Sequence, residues 1–245
     1  MPIIYLSPST QESNPYITGT GSEEFHMNQL ADAMIPYLNS SGIRYVRNTP
    51  DMTAGSSIRQ ANQGWYDFYL ALHSNAAGAG NSGNVRGIIA FYYPGSAQGQ
   101  RAAQIFVNNL RNVYPLPDQV YTRSTTSLGE VRDPKFPSVL LELGYHDNVQ
   151  DARWIENNKT EIARNLVVSL TDFFDIPFIW PIDPWEGTVH TNGGTLNLRD
   201  RPDTSAAVIA NLPDGALVRV YGQYEGWYVV HYGGYTGYAA AQYIS

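Results

Sequence analysis

Cysteine is absent from the 245 residues, which excludes disulfides, thiolate-held zinc, iron–sulfur clusters and thiol nucleophiles. The absence leaves the compartment open, because an exported protein can do without disulfides. Basic residues are scarce: 15 Lys and Arg stand against 22 Asp and Glu, a net charge of −7. That deficit argues against nucleic acid as a partner and against docking on an anionic membrane surface. No window reaches 18 apolar residues, so no membrane insertion is expected. The opening Met1-Pro2-Ile3-Ile4-Tyr5-Leu6-Ser7 has neither a basic segment nor a long apolar one, so no signal peptide is visible.

Apolar residues make up 43% and charged residues 15%, as expected for a globular core and not for a disordered chain. The length fits one large domain or two unequal ones. Eighteen Tyr and 22 Gly outnumber the basic residues, a balance that suits polar, uncharged ligands such as carbohydrate.

The texture of the chain changes near residue 176. Before it, apolar runs at Ile3–Leu6, Ile43–Arg47, Phe68–Leu72, Gly87–Tyr93 and Val139–Leu141 read as strands. Helical spacing falls between them, over Phe25–Leu38, Gln98–Val113 and Asp151–Phe174. Ser22, Glu23 and Glu24 suit the start of the first helix, where acids meet the helix dipole. This alternation predicts an α/β layer with a mostly parallel sheet flanked by helices, whose site lies at the carboxyl ends of the strands. Residues 177–186 hold prolines and tryptophans and read as a linker. From 187 to 245, six short runs separated by Asn-Gly-Gly, Pro-Asp-Gly, Glu-Gly and Gly-Gly turns predict a small all-β barrel. The expected organisation is therefore 1–176, a linker over 177–186, and 187–245.

Chemistry without cysteine rests on five histidines, the carboxylates and the hydroxyls. His190 and His231 lie on strand-like runs of the barrel and read as structural. His73 is different, because it ends a buried strand and opens the small polar loop Ser74-Asn75-Ala76-Ala77-Gly78. Glu142 ends a second buried run, and a carboxylate at that depth needs a partner or carries a raised pKa, either of which suits a general base. Glu24 adds a third group at a helix start. A mixture of His and Glu at one point suits Zn²⁺.

These stretches resemble the zinc-dependent N-acetylmuramoyl-L-alanine amidases of the amidase-3 type. The resemblance rests on Glu24-x-x-x-Asn28, His73-Ser-Asn-Ala76 and Pro137-Ser-Val-Leu-Leu-Glu142-Leu-Gly-Tyr-His-Asp-Asn148, in order, and covers roughly residues 2–175. It implies Glu24 and His73 as zinc ligands and Glu142 as the base that activates zinc-bound water. The family's strand-one histidine is missing, for Ser7-Pro8-Ser9-Thr10 stands there, and a catalytic zinc normally takes three protein ligands. His146 is the first candidate for the third ligand and His26 the second. The other role open to His146 is to orient Glu142 or substrate.

Residues 187–245 resemble a bacterial SH3 domain, through Gly194-Thr-Leu-Asn-Leu-Arg199, Val218-Arg-Val220, Gly226-Trp227-Tyr-Val-Val230 and Gly237-Tyr-Ala-Ala-Ala241. That resemblance implies attachment to cell-wall peptidoglycan, with Tyr221, Tyr224, Tyr228, Tyr232 and Tyr235 available to line a groove. Together the two resemblances imply a peptidoglycan hydrolase. It would cleave the amide between N-acetylmuramic acid and L-Ala of the stem peptide through a zinc-activated water. The rival reading is an amidase-like protein that binds the wall without catalysis. The expected location is secreted or wall-associated, reached by phage-type release or with a leader already removed.

Overall fold

The computed structural model describes residues 1–78 and 80–245. Among the described residues, twelve strands and six α-helices follow in chain order. The first part holds β1 (Ile3–Pro8), α1 (Glu23–Ser40), β2 (Arg44–Arg47), α2 (Ala54–Ala61), β3 (Phe68–Asn75), β4 (Ile88–Tyr92) and α3 (Ala97–Leu110). There follow β5 (Val120–Ser124), α4 (Gly129–Arg132), β6 (Ser138–Tyr145), α5 (Val149–Asn157) and α6 (Lys159–Phe174). The remainder holds β7 (Trp185–Thr188), β8 (Thr195–Arg199), β9 (Val208–Pro213), β10 (Leu217–Tyr224), β11 (Trp227–Tyr232) and β12 (Tyr235–Ala240), with a 3-10 turn at Ala241–Tyr243.

The first sheet has the order β2-β1-β3-β6-β4-β5. β1, β3 and β6 run parallel, and so do β4 and β5, but β4 meets β6 antiparallel. The sheet is therefore mixed, built from two parallel blocks joined at the β4–β6 seam. Its central strand β3 is buried on both faces, which explains its unbroken apolar run. On one face Tyr5 stacks on Tyr69 at 5.2 Å beside Ile58 and Leu140; Phe68, of opposite pleat, meets Phe106 and Phe173.

Helix starts follow local chemistry. Ser22 Oγ accepts the Phe25 amide at α1, and Thr53 and Ser56 cap α2 reciprocally. Ser96 caps α3, and Asn148 accepts two amides of α5. The continuous helix expected over Asp151–Phe174 is broken at Asn158, where the Cα leaves helical geometry and α6 begins afresh.

Compactness divides the described residues into two units. One comprises residues 3–34 and 45–173; the other comprises 1–2, 35–44 and 174–245. Inside the second, β7-β10-β11-β12-β8-β9 form an antiparallel sheet. Leu196 and Leu198 point into its core while Asn197 between them does not, and Val218 and Val220 flank Arg219 in the same way. In this unit Ser40 Oγ donates to the Ile179 carbonyl at 2.6 Å, and the Ile179 amide donates to Ser41 Oγ at 3.1 Å. Gly222 is needed there, because a Cβ would stand 2.7 Å from the Ser40 carbonyl oxygen.

In the first unit a single carboxylate fastens the seam. Asp151, fully buried, accepts from Arg86 Nε at 2.7 Å, Tyr114 Oη at 2.7 Å, and the amides of Gly87 and Tyr145 at 3.1 Å. Gly144 reaches this point with φ +89°, and a Cβ on it would press on Asp151 at 3.2 Å. Asp151→Ala strands a partly buried guanidinium and three other donors, so it costs about 3 kcal/mol. A fall in Tm of about 6–12 °C is expected by calorimetry, and an unchanged Tm refutes this role.

Candidate active site

The carboxyl ends of β1, β3 and β6 open into a cleft of about 850 Å³, at the edge where α/β sheets place their sites. Ser9, Gln11, Asn48, Met52, Glu130 and Glu142 are among the residues that line it. His73 and Glu142 are register partners on the parallel strands β3 and β6, so their side chains leave the sheet side by side.

His73 is held at both ring nitrogens. Nδ1 lies 2.8 Å from Glu23 Oε1, and Nε2 lies 2.8 Å from Glu130 Oε2. Glu23 comes from the first turn of α1 and Glu130 from α4; both are buried. Other donors surround each carboxylate. Asn14 Nδ2 donates to Glu23 Oε2 at 2.8 Å, while Gln11 Nε2 and the Ser74 amide approach Glu23 Oε1 at 3.4 Å. Glu130 Oε1 accepts from Ser7 Oγ at 2.7 Å and from Tyr69 Oη at 2.8 Å. Asn48 braces the strand end through the Pro8 carbonyl, Ser57 and Ser7.

Burial pushes both carboxyls up, but the His73 ring and these donors outweigh it and hold Glu23 and Glu130 below the usual range. Burial alone would lower His73; the bonds and charge of Glu130 and Glu23 raise it well above its ordinary value. Glu142 has no such donors. Burial raises its pKa to about 7, Glu23 and Glu130 add to the rise, and His73 opposes it. Its Oε2 is enclosed and without a hydrogen-bond partner.

The expected ligands are only partly together. His73 is at the centre. Glu24 is not: its Oε1 takes Asn28 Nδ2 at 3.2 Å on its own helix, and Glu23, about 100° around α1, faces His73 instead. His146 also lies elsewhere. It follows Ser74, not His73, because its Nδ1–H donates to the Ser74 carbonyl at 2.8 Å and its ring stacks on Tyr16 at 5.7 Å. His26 contacts Thr20 at 3.0 Å and Tyr16 at 4.1 Å. Burial lowers its pKa to about 4, so it stays neutral.

Glu23, Gln11 and Glu130 are the residues that sequence reasoning did not select. Glu23 shared the acidic helix start with Glu24. Glu130 lies in Leu128-Gly-Glu-Val-Arg132 just before the buried strand β6, where a lone acid was the available signal.

The side chains do not fit a three-ligand zinc centre. Among the described residues no three His, Asp or Glu side chains form a cage for a metal ion. Both His73 nitrogens face carboxylates directly, and the strand-one loop brings no imidazole there: the Gln11 amide approaches Nδ1 at 3.4 Å. In the other unit a cavity of about 330 Å³ is lined by Thr191, Asn197, Arg199, Trp227 and Tyr243. None of Tyr221, Tyr224, Tyr228, Tyr232 and Tyr235 lines it.

Comparison with known proteins agrees with this architecture. Three similar solved structures are AmiC2, an N-acetylmuramoyl-L-alanine amidase of Nostoc punctiforme; the catalytic domain of CwlV, the same class of enzyme from Bacillus (Paenibacillus) polymyxa var. colistinus; and the catalytic domain of CD27L, an endolysin targeting Clostridia difficile. AmiC2 is 15% identical, covering 71% of this chain and 97% of its own at TM-score 0.62. CwlV is 16% identical over 72% and 100%, at 0.62. CD27L is 17% identical over 70% and 98%, at 0.57. At these identities the likeness concerns the fold. A search of the curated proteins gives no match. Residues 194–245 match the bacterial SH3 domain. Residues 4–172 match the family described as N-acetylmuramoyl-L-alanine amidase, and with that match over most of its length the chain belongs to this family of peptidoglycan hydrolases.

Proposed function

We propose that the chain hydrolyses the amide between the lactyl group of N-acetylmuramic acid and L-Ala of the stem peptide, with Glu142 as general base and then general acid. The observation that carries this reading is Glu142 itself: a carboxyl at the cleft, one oxygen unpartnered, with a pKa near neutrality. Such a group takes a proton from water as the water's oxygen attacks the scissile carbonyl. It then returns that proton to the amine nitrogen as the C–N bond breaks. Hydroxyl and amide side chains along the cleft suit a substrate of sugar and peptide amides.

The SH3 domain is assigned to wall peptidoglycan, so that both units act on one insoluble substrate and binding raises the local concentration of the hydrolytic unit. The site of action is accordingly the cell wall, outside the membrane. No described helix is long and apolar enough to cross a membrane.

Members of this family are typically zinc-dependent. Because the donors of this chain do not fit that centre, proton transfer is assigned to Glu142 and no step is routed through a metal.

Three predictions concern Glu142. Glu142→Gln lowers hydrolysis of purified peptidoglycan by about 100-fold or more while wall pelleting is retained; full activity in the variant refutes the assignment. In the wild-type protein kcat/KM rises about tenfold per pH unit below about pH 7 and levels off above it. The same titration governs stability. A carboxyl raised from 4.5 unfolded to about 7 folded lowers stability as pH climbs through that window, because the unfolded chain releases the proton first. Glu142→Gln escapes this loss of about 3–4 kcal/mol, so its Tm exceeds the wild-type value by about 7–14 °C at pH 8. The two values converge toward pH 4.5, as thermal melts at several pH values will record.

A further inference from the structure

His73 sits between two carboxylates that are both acceptors. Glu23 takes donors on each oxygen, from Asn14 on one and from Gln11 and Ser74 on the other. Glu130 takes two hydroxyl protons on Oε1, from Ser7 and Tyr69. Each ring nitrogen lies 2.8 Å from a carboxylate oxygen, so neither faces an open coordination position.

Gln11 completes the picture. Its Nε2 lies 3.4 Å from Glu23 Oε1 and 3.4 Å from His73 Nδ1, which are 2.8 Å apart. Donors around a tetrahedral zinc with bonds of about 2.1 Å stand about 3.4 Å from each other, so Gln11 occupies the third corner of such a triangle. The atom there is wrong for a metal. The amide presents N–H to the centre, and its Oε1 is turned outward to accept from Asn14 Nδ2 at 3.0 Å.

We infer that His73, clamped by Glu23 and Glu130, leaves no open ligand position in the place the family gives to zinc, and that Gln11 closes the corner where a third ligand would stand. The carboxylate oxygens a metal would need are already taken by the ring, amide and hydroxyl groups. For a metal to enter at Nδ1 it must break the Glu23 contact and turn the Gln11 amide away from Asn14. The inference rests on the geometry of these side chains, and metal content tests it without reference to hydrolysis.

The experiment takes the full chain, incubates it with excess zinc chloride, removes free metal by gel filtration and counts zinc by elemental analysis. The wild-type chain is expected to retain less than about 0.1 zinc per molecule. Gln11→His is expected to retain close to one, lost again in Gln11→His/His73→Ala, with circular dichroism confirming that each variant is folded. Near-stoichiometric zinc in the wild-type chain that disappears in His73→Ala overturns the inference. A folded Gln11→His that stays free of zinc overturns the placing of Gln11 at the third corner.

Discussion

Two buried carboxylates on separate elements, Glu23 and Glu130, impose the central constraint on this cleft. Withdrawing such a charge from water costs several kcal/mol unless it is compensated at once by partners of good geometry. His73 supplies that compensation on both sides at 2.8 Å. Much of the cleft's polar chemistry can be traced to the same need. The hydroxyls of Ser7 and Tyr69, the amides of Gln11 and Asn14, and the Ser74 N–H all point donors at these two groups. The arrangement ties the start of α1, the end of β3 and the short α4 to a common centre.

Glu142, in register beside His73, receives none of those donors, and that difference separates its behaviour from its neighbours. Three carboxyls share one region, two held below the usual range and one raised to about 7. Environments that push neighbouring titrations apart assign them to different tasks. Glu23 and Glu130 remain fixed charges through the neutral range, and Glu142 is the group able to exchange a proton there.

The architecture was legible where burial wrote itself into short patterns. Phe68–Leu72 reads as a strand covered on both faces, and the turn dipeptides after residue 187 mark out the strands of the barrel. α2, β5 and α4 left weaker traces, since each is short and its residues earn their conformation from tertiary contacts. At the site, His73 and Glu142 were visible as polar residues ending apolar runs. The choice between Glu23 and Glu24 was not, because one residue of helix rotation decides which acid faces the sheet and neither composition nor spacing fixes that phase. His146 misled for the complementary reason: it contacts Ser74, whose side chain leaves β3 on the face opposite His73. Glu130 was hidden because its meaning comes from Ser7, Tyr69 and His73, residues 57 to 123 positions away.

The unit that holds β7–β12 also includes residues 35–44, the end of α1 among them, and Ser40 meets Ile179 across 139 positions of sequence. This gives it a history on the ribosome. Its earliest pieces emerge long before the partners they need: the Ser40 bond waits until nearly three quarters of the chain has been made, and the bonds between Thr188 and Ser245 wait for its end. A loop of that length adds closure entropy only slowly as it grows, but non-local closure slows folding. The barrel is accordingly a late event in synthesis, and a contiguous fragment beginning at residue 187 lacks the segment that carries Ser40 and Ser41.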